Sequence, residues 1–312
     1  MRAAQIPEYG HADVVRIDEV DLPPPAAGQV RIEVHASSIN PVDTALREGY
    51  LAQMAPIELS ATPGIDVAGT VAALGEGFSA LVVGDRVYGS ASILAGGTGA
   101  FAEYASAPAS LLAPMPANAS FAEAGAIVLT GVSAVQALTG HLELQPGQKI
   151  LVHGGAGGIG SLAIQLAKHL GAYVAATASG DGLELVRELG ADEAIDYKNE
   201  AFDQRLTDYD AVLDTVGGET YTRSFRVLRP GGIIVSMLAP PNAELMEQYG
   251  VRAISQQTQV NTEVLTALAK LVEEGVLTPV IDRAFPLDEV REAFEAKEQG
   301  GVQGKIGIQV RP

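Results

Sequence analysis

Cysteine is absent from all 312 residues. Its absence excludes disulfides, thiolate catalysis and any cysteine-ligated zinc. Positive charge is scarce as well, with 20 Lys and Arg against 38 Asp and Glu and a net charge of −18. A surface of that sign repels phosphate backbones and anionic lipid, so neither nucleic acid nor a membrane is the expected partner. An anionic cofactor must therefore be held by a local site that overrides the global field. The N-terminus, Met1 to Glu8, lacks an apolar signal core. No apolar run reads as long enough to cross a bilayer, and the expected location is cytoplasmic. The five histidines, His11, His35, His141, His153 and His169, are scattered without metal-ligand spacing. What is present is a globular mixture: 47% hydrophobic and 19% charged residues supply ample core for one large domain or two ordinary ones.

Two textures divide the chain. In the first, Val30-Arg31-Ile32-Glu33-Val34 alternates apolar and charged residues as a half-buried strand does. Val67 to Val71 and Asp85 to Gly89 are further short strands, punctuated by Pro23-Pro24-Pro25, Pro63-Gly64 and Gly96-Gly97. Short strands between such turns predict a barrel-like β domain. Beyond Pro116 the pattern changes. Ser120 with Glu123 is a capping box that starts a helix. From Lys149 on, strands alternate with amphipathic helices: strand Ile150 to His153, helix Ser161 to Leu170, strand Tyr173 to Thr177, helix Leu183 to Leu189, then strands Ala194 to Asp196, Ala211 to Asp214 and Ile233 to Ser236. That alternation predicts a parallel sheet covered on both faces, an α/β fold. The tail reads as helix Thr262 to Glu274, helix Asp288 to Lys297 and a last strand, Lys305 to Val310, in which Lys305 reads as a solvated charge.

The strongest motif is His153-Gly154-Gly155-Ala156-Gly157-Gly158-Ile159-Gly160, with G-x-G-x-x-G at Gly155, Gly157 and Gly160. The first glycine permits the tight turn off the strand. The second admits close approach of a pyrophosphate, and the third lets the helix pack on the sheet. Free N–H groups at the helix start then face the phosphate charge. The preceding strand and following helix supply the context the motif needs.

An NAD site carries an acid at the tip of the second strand, roughly 20 residues on, to hold the ribose 2′-hydroxyl. Here that tip is Ala176-Thr177-Ala178-Ser179-Gly180, without an acid, which favours NADP. Asp181 lies two residues past Ser179 and reads either as a solvated turn residue or as a ribose ligand.

The run from His153 through Lys168 closely resembles the cofactor loop of zinc-free medium-chain dehydrogenases/reductases of the quinone oxidoreductase (zeta-crystallin-like) type. Other segments agree in order: Ser38-Ile39-Asn40-Pro41-Val42-Asp43, Pro63-Gly64-Ile65-Asp66-Val67-Ala68-Gly69, Val83 to Val87, Thr130 to Ala134, Leu189 to Asp192 and Gly304-Lys305-Ile306. The resemblance covers nearly the whole chain. It implies a Rossmann doubly wound parallel sheet at 121–260 and a partly open, GroES-like β-barrel catalytic domain at 1–120, completed by 261–312. It places the active site in the cleft at their junction. Zinc-dependent relatives carry a cysteine where this chain has Asn40, and His-Glu where it has Ile65-Asp66, so the resemblance implies no metal.

The residue roles are likewise implied by resemblance. Gly157, Gly158, Ile159 and Gly160 hold the pyrophosphate of NADP(H), with Gly155 opening the turn. Ser179 and Tyr197 contact the adenosine phosphate. Thr130 lies near the nicotinamide, with Val216 and Leu238 lining that path. Asn40 and Tyr50 are the polar, catalytic groups facing nicotinamide and substrate. Relatives often follow the serine with Lys or Arg; here Gly180-Asp181-Gly182 stands there, and Lys198 is the nearest cation by sequence. The implied reaction is reduction of a quinone or α,β-unsaturated carbonyl by direct hydride transfer, for which the cofactor supplies the chemistry. Tyr50 hydroxyl and Asn40 amide would stabilise the oxygen that gains charge, and Tyr50 is a candidate proton relay. Arg47 to Ala61, carrying Tyr50, Leu51, Met54, Ile57 and Leu59, reads as a loop shaping an apolar pocket or packing internally. Gly232 to Leu238 is the candidate for extending a sheet across a homodimer. The alternative reading is an NADP(H)-binding protein with little turnover, since fold alone does not fix function.

Overall fold

The structure, a computed structural model, describes residues 1–77 and 80–311. The chain forms two compact units. One comprises Met1–Leu129, Val260–Gly275 and Pro279–Pro312; the other comprises Thr130–Gln259 and Val276–Thr278. The division falls inside the helix Phe121–Val135.

In the second unit, six parallel strands lie in the order Glu193–Asp196, Tyr173–Ala178, Lys149–Val152, Tyr209–Asp214, Leu228–Ser236, Arg252–Ser255. In chain order this is third, second, first, fourth, fifth, sixth, the doubly wound arrangement. The direction of travel reverses between Lys149–Val152 and Tyr209–Asp214, and ligands bind such sheets at the carboxyl ends of the strands beside that point. The central strands are apolar on both faces because helices cover both: Ile150, Leu151, Val152, Val212 and Leu213 are fully buried.

Two expectations change here. Leu228–Ser236 is paired on one side with Tyr209–Asp214 and on the other with Arg252–Ser255. Its backbone groups are spent, so it cannot extend the sheet across a dimer; the open edge at that end is Arg252–Ser255. The other change concerns the length of an apolar helix. Phe121–Val135 continues as a π-helical turn, Gln136–His141, and the combined 21 residues are long and apolar enough to cross a bilayer. Its apolar stretch is 72% buried inside the protein, as in a core helix.

The first unit is built on a seven-stranded sheet with Gln29–Ser38 at its centre. Residues 29–33 of that strand pair with Tyr104–Pro108, and its far end, Ala36 to Ser38, pairs with Lys305–Gln309. Asp66–Leu74 runs antiparallel along its other side with two register shifts, irregularities of the kind that bend a sheet toward a barrel. Val30, Ile32 and Val34 are fully buried, as the alternation predicted. The helix Pro41–Arg47 follows the central strand. Its last residue, Arg47, is fully buried, lies 4.8 Å over the Phe294 ring and pairs with Glu48 and Glu298. That anchor fixes the helix against Val290–Gln299 and holds the turn that carries Tyr50.

Candidate functional site

The glycine turn joins Lys149–Val152 to the helix Gly158–His169. The left-handed residue is Gly154, at φ +68°, one position earlier than the sequence suggested. Gly155 instead faces the interior: a Cβ there would stand 2.9 Å from the Ala176 Cβ and 3.0 Å from Val186. At Gly160 a Cβ would lie 2.2 Å from the Gly154 carbonyl oxygen, a clash with backbone that nothing can relieve. Gly157 is the N-cap, and Ser161 N–H donates to its carbonyl as the first helical bond. The amides of Gly158, Ile159 and Gly160 precede that bond and have no partner within the helix. They form a cradle for an anion at the positive end of the helix.

Beside the turn, two loops leave the strand tips. Asp214, fully buried at the end of Tyr209–Asp214, accepts from the Val216 and Gly217 amides through one oxygen and from Ser236 Oγ through the other, at 2.7–2.9 Å. Ser236 Oγ in turn accepts from the Leu238 and Ala239 amides. One carboxylate therefore shapes both loops, a role that sequence reading missed; the signal was an acid at a strand tip before Thr-Val-Gly-Gly. The loops display Val216, 49% exposed, and Leu238, 65% exposed. Large apolar side chains exposed beside an anion cradle suit the apolar parts of a dinucleotide. Thr130 is buried on the helix Phe121–Val135.

At the next strand tip, Ser179 Oγ donates to the Tyr197 hydroxyl at 3.1 Å, and Tyr197 is largely exposed. The two predicted phosphate contacts are thus side by side. Asp181 sits at the N-cap of Gly182–Glu188, is exposed and makes no side-chain cap bond. Lys198 is exposed and forms no ion pair among the described residues.

The turn is braced from beneath by His153. Its Nδ1 meets Thr177 Oγ1 at 3.1 Å and its Nε2 meets Ser224 Oγ at 2.9 Å, with Phe202 edge-on to the ring. Burial pushes the imidazole down to about 4, so the ring is neutral near pH 7.

In the first unit, Asn40 and Tyr50 part company. Tyr50 is 74% exposed and Met54 and Leu59 are exposed too, while Leu51 and Ile57 of the same loop are half-buried, so only part of it packs internally. Asn40 is only 1% exposed. Its Nδ2 donates to Asp66 Oδ2 at 2.8 Å and more weakly to the Ser38 carbonyl at 3.4 Å, while its Oδ1 accepts from Lys305 Nζ. Both amide hydrogens are spent inside the protein, which leaves it no donor for a substrate.

Lys305 is the larger correction. It is not solvated but 5% exposed, donating to the Ile39 carbonyl at 2.9 Å and lying 3.5 Å from Asp66 Oδ2. Burial lowers its ammonium below the ordinary lysine range, while Asp66 and Asp43 hold it up. Asp66 also accepts from Ser38 Oγ and the Leu129 amide. Asp43 accepts from the Asn40 and Gly64 amides, and burial raises its carboxyl to about 7. An ammonium, an amide, a hydroxyl and a backbone N–H already occupy Asp66, so this donor set does not fit a divalent cation. Among the described residues, no group of three or more His, Cys, Asp or Glu is placed to hold a metal.

A doubly wound sheet with a glycine cradle at its reversal point, together with the seven-stranded unit, defines a dinucleotide-binding dehydrogenase. Residues 26–117 match the alcohol dehydrogenase GroES-like domain, and residues 189–306 match a family described as zinc-binding dehydrogenase. The chain is 39% identical over 326 residues to 2-methylene-furan-3-one reductase of Solanum lycopersicum, covering 100% of this chain and 80% of that protein. It is 37% identical over 321 residues to the chloroplastic NADPH-dependent alkenal/one oxidoreductase of Arabidopsis thaliana, covering 99% and 79%. The solved quinone oxidoreductase of Coxiella burnetii superposes with TM-score 0.92 at 35% identity, covering 100% and 99%. The chain belongs to the medium-chain dehydrogenase/reductase family, quinone oxidoreductase type.

Proposed function

We propose that this protein is an NADPH-dependent oxidoreductase that reduces a quinone or an α,β-unsaturated carbonyl without a metal. The observation that carries the reading is the cradle of free amides at Gly158 to Gly160, flanked by Val216 and Leu238, in a chain whose relatives are named as reductases of enones and quinones. Bound NADPH supplies the hydride. The amides of Gly158, Ile159 and Gly160 hold its pyrophosphate, with Gly155 and Gly157 keeping the turn compact. The Ser179 and Tyr197 hydroxyls hold the adenosine 2′-phosphate, with Lys198 as the nearest cation. Thr130, Val216 and Leu238 line the nicotinamide.

Tyr50, with its hydroxyl in solvent, donates to the substrate oxygen as negative charge develops there. Asn40 acts through position rather than contact: with Lys305 and Asp66 it fixes the start of the helix that leads to Tyr50. For an enone, a hydride delivered to the β carbon would leave an enolate, whose oxygen Tyr50 would stabilise by a donated hydrogen bond while solvent supplied the proton that ends on the α carbon. A homodimer would form across the open edge Arg252–Ser255, and sedimentation as a monomer at high concentration would remove that part.

The test is oxidation of NADPH and, separately, NADH by a p-quinone and by an enone, with chelator present throughout. Acceptor-dependent oxidation preferring NADPH is expected. Cofactor binding without turnover on either acceptor would instead make the protein a dinucleotide binder.

A further inference from the structure

His153 is a buried titratable group that takes no part in the reaction proposed above. It directly follows the strand Lys149–Val152, and each of its ring nitrogens faces a hydroxyl, Nδ1 that of Thr177 and Nε2 that of Ser224. All three side chains are buried, so water offers neither hydroxyl an alternative partner. A hydroxyl has one hydrogen to donate. Ser224 Oγ donates its hydrogen to the Thr220 carbonyl at 2.6 Å, one turn back in the helix Gly218–Ser224. Toward His153 it can only accept, so Nε2 carries the ring proton. The ring is neutral near pH 7, because burial opposes its charged form. Nδ1 is therefore bare and accepts from the Thr177 hydroxyl. The opposite tautomer would set a bare Nε2 against a hydroxyl whose hydrogen is already spent, leaving a buried acceptor unpaired.

Thr177 Oγ1 in turn accepts from the Gly154 amide at 3.2 Å. The bonds thus run one way, from Gly154 N–H through Thr177 and His153 to Ser224 and the Thr220 carbonyl. Gly154 is the left-handed residue of the turn, and its carbonyl accepts from the Gly157 amide at 2.9 Å. A Cβ on Gly154 would lie 2.5 Å from Thr215 Oγ1, which itself donates to the His153 carbonyl at 2.8 Å. Thr215 opens the loop that displays Val216, and the helix Gly218–Ser224 closes it. The relay therefore ties the glycine turn to the element that follows Val216.

We propose that His153 is a positioning residue for the cofactor. As the Nε2–H tautomer it draws the Thr177 hydroxyl hydrogen toward itself, which aims a Thr177 lone pair at Gly154 N–H and sets the turn that presents the Gly158 to Gly160 amides. The inference rests on the reading that those amides hold the NADPH pyrophosphate. It adds to that reading a residue that touches neither cofactor nor substrate and acts through Thr177 and Gly154.

The experiment has two readouts on the whole chain. The first is long-range proton–nitrogen NMR with isotopically labelled histidine and no cofactor. The signal that is missing from His153→Asn should show a bare Nδ1 and a protonated Nε2. The second is calorimetric titration with NADPH. Asn places its amide oxygen where Nδ1 lies and keeps the acceptor for Thr177, so His153→Asn should bind within about threefold of the parent. Gln reaches to the Nε2 position instead and loses that acceptor, so His153→Gln should bind about tenfold more weakly. Thr177→Val, which has the same shape without the hydroxyl, should show the same loss, and Thr177→Ser should recover it. A brace acting through stability alone would make affinity follow the unfolding midpoints of the variants. A protonated Nδ1, equal affinities of the Asn and Gln variants, or undiminished binding by Thr177→Val would each overturn the proposal. A parent that binds no NADPH would remove the cofactor reading and the positioning role with it. Absence of turnover with both acceptors would count against the reading of the reaction and not against the relay, because neither readout uses an acceptor.

Discussion

The dinucleotide cradle and the Lys305 cluster are built on opposite plans. The cradle works by leaving things out: glycines where side chains would collide, and amides at the helix start without a partner within the helix. The cluster works by filling everything: Lys305, Asn40, Asp66, Asp43 and Ser38 consume one another's hydrogen bonds with almost no solvent contact. Groups left open bind ligands, whereas groups that satisfy each other hold elements in place. Asn40 changes from a substrate-facing group to a positioning one on that criterion alone.

The sharpest test of this contrast is Lys305→Met. Removing the ammonium leaves Asp66 and the Asn40 oxygen buried with one partner fewer. Denaturant unfolding should then show a loss of about 3–5 kcal/mol; a loss within experimental error would mean that Lys305 is no part of a buried network. Gly160→Ala probes the other plan. Its Cβ meets backbone, so a destabilisation of about 1–3 kcal/mol is expected, and NADPH titration should find affinity reduced by more than that strain alone explains. Retention of full affinity would remove the cradle from the binding site.

Tyr50→Phe should separate chemistry from folding. The side chain is largely exposed, so the unfolding midpoint should stay within about ±0.5 kcal/mol of the parent. Turnover should fall about tenfold to a hundredfold if the hydroxyl stabilises the developing charge or moves the proton. Unchanged kcat on both acceptors would leave the hydroxyl without a catalytic part.

His153 gives a pH test of the brace under the cradle. Its imidazole takes a proton near 6.5 when unfolded but only near 4 in the fold. Between those values the unfolded chain holds more protons, so stability falls as pH drops, with a slope of up to about 1.4 kcal/mol per pH unit from this residue. His153→Asn should flatten the stability profile between pH 6.5 and 4 relative to the parent. The smallest effect is expected from Ser179→Ala: a loss of about 1 kcal/mol in NADPH binding, with NADH binding unmoved. Equal losses for both cofactors would take Ser179 away from the 2′-phosphate.

The cradle was legible in the sequence because its residues are neighbours. A strand, a turn and a helix place Gly154 to Gly160 within one local motif, so spacing reports the turn and misses only which glycine takes the left-handed conformation, Gly154. Ser179 and Tyr197 were singled out by resemblance alone, and the structure brings their hydroxyls to 3.1 Å. Lys305 was not legible. An alternating strand gives no sign of whether a charge faces water or a partner 265 residues away, the separation between Lys305 and Asn40. The pairing of Leu228–Ser236 was hidden for the same reason, since an apolar run does not show which neighbours flank it.

The sequence by itself determined the alternation of strands and helices, the α/β class, the cofactor turn and the absence of thiolate chemistry, because each depends on residue type and short-range spacing. Only the tertiary structure decided that Asn40 is sealed, that Lys305 is buried and that Asp214 ties two loops. Those are matters of which distant groups meet, and burial fixes them by requiring each polar atom removed from water to find a partner.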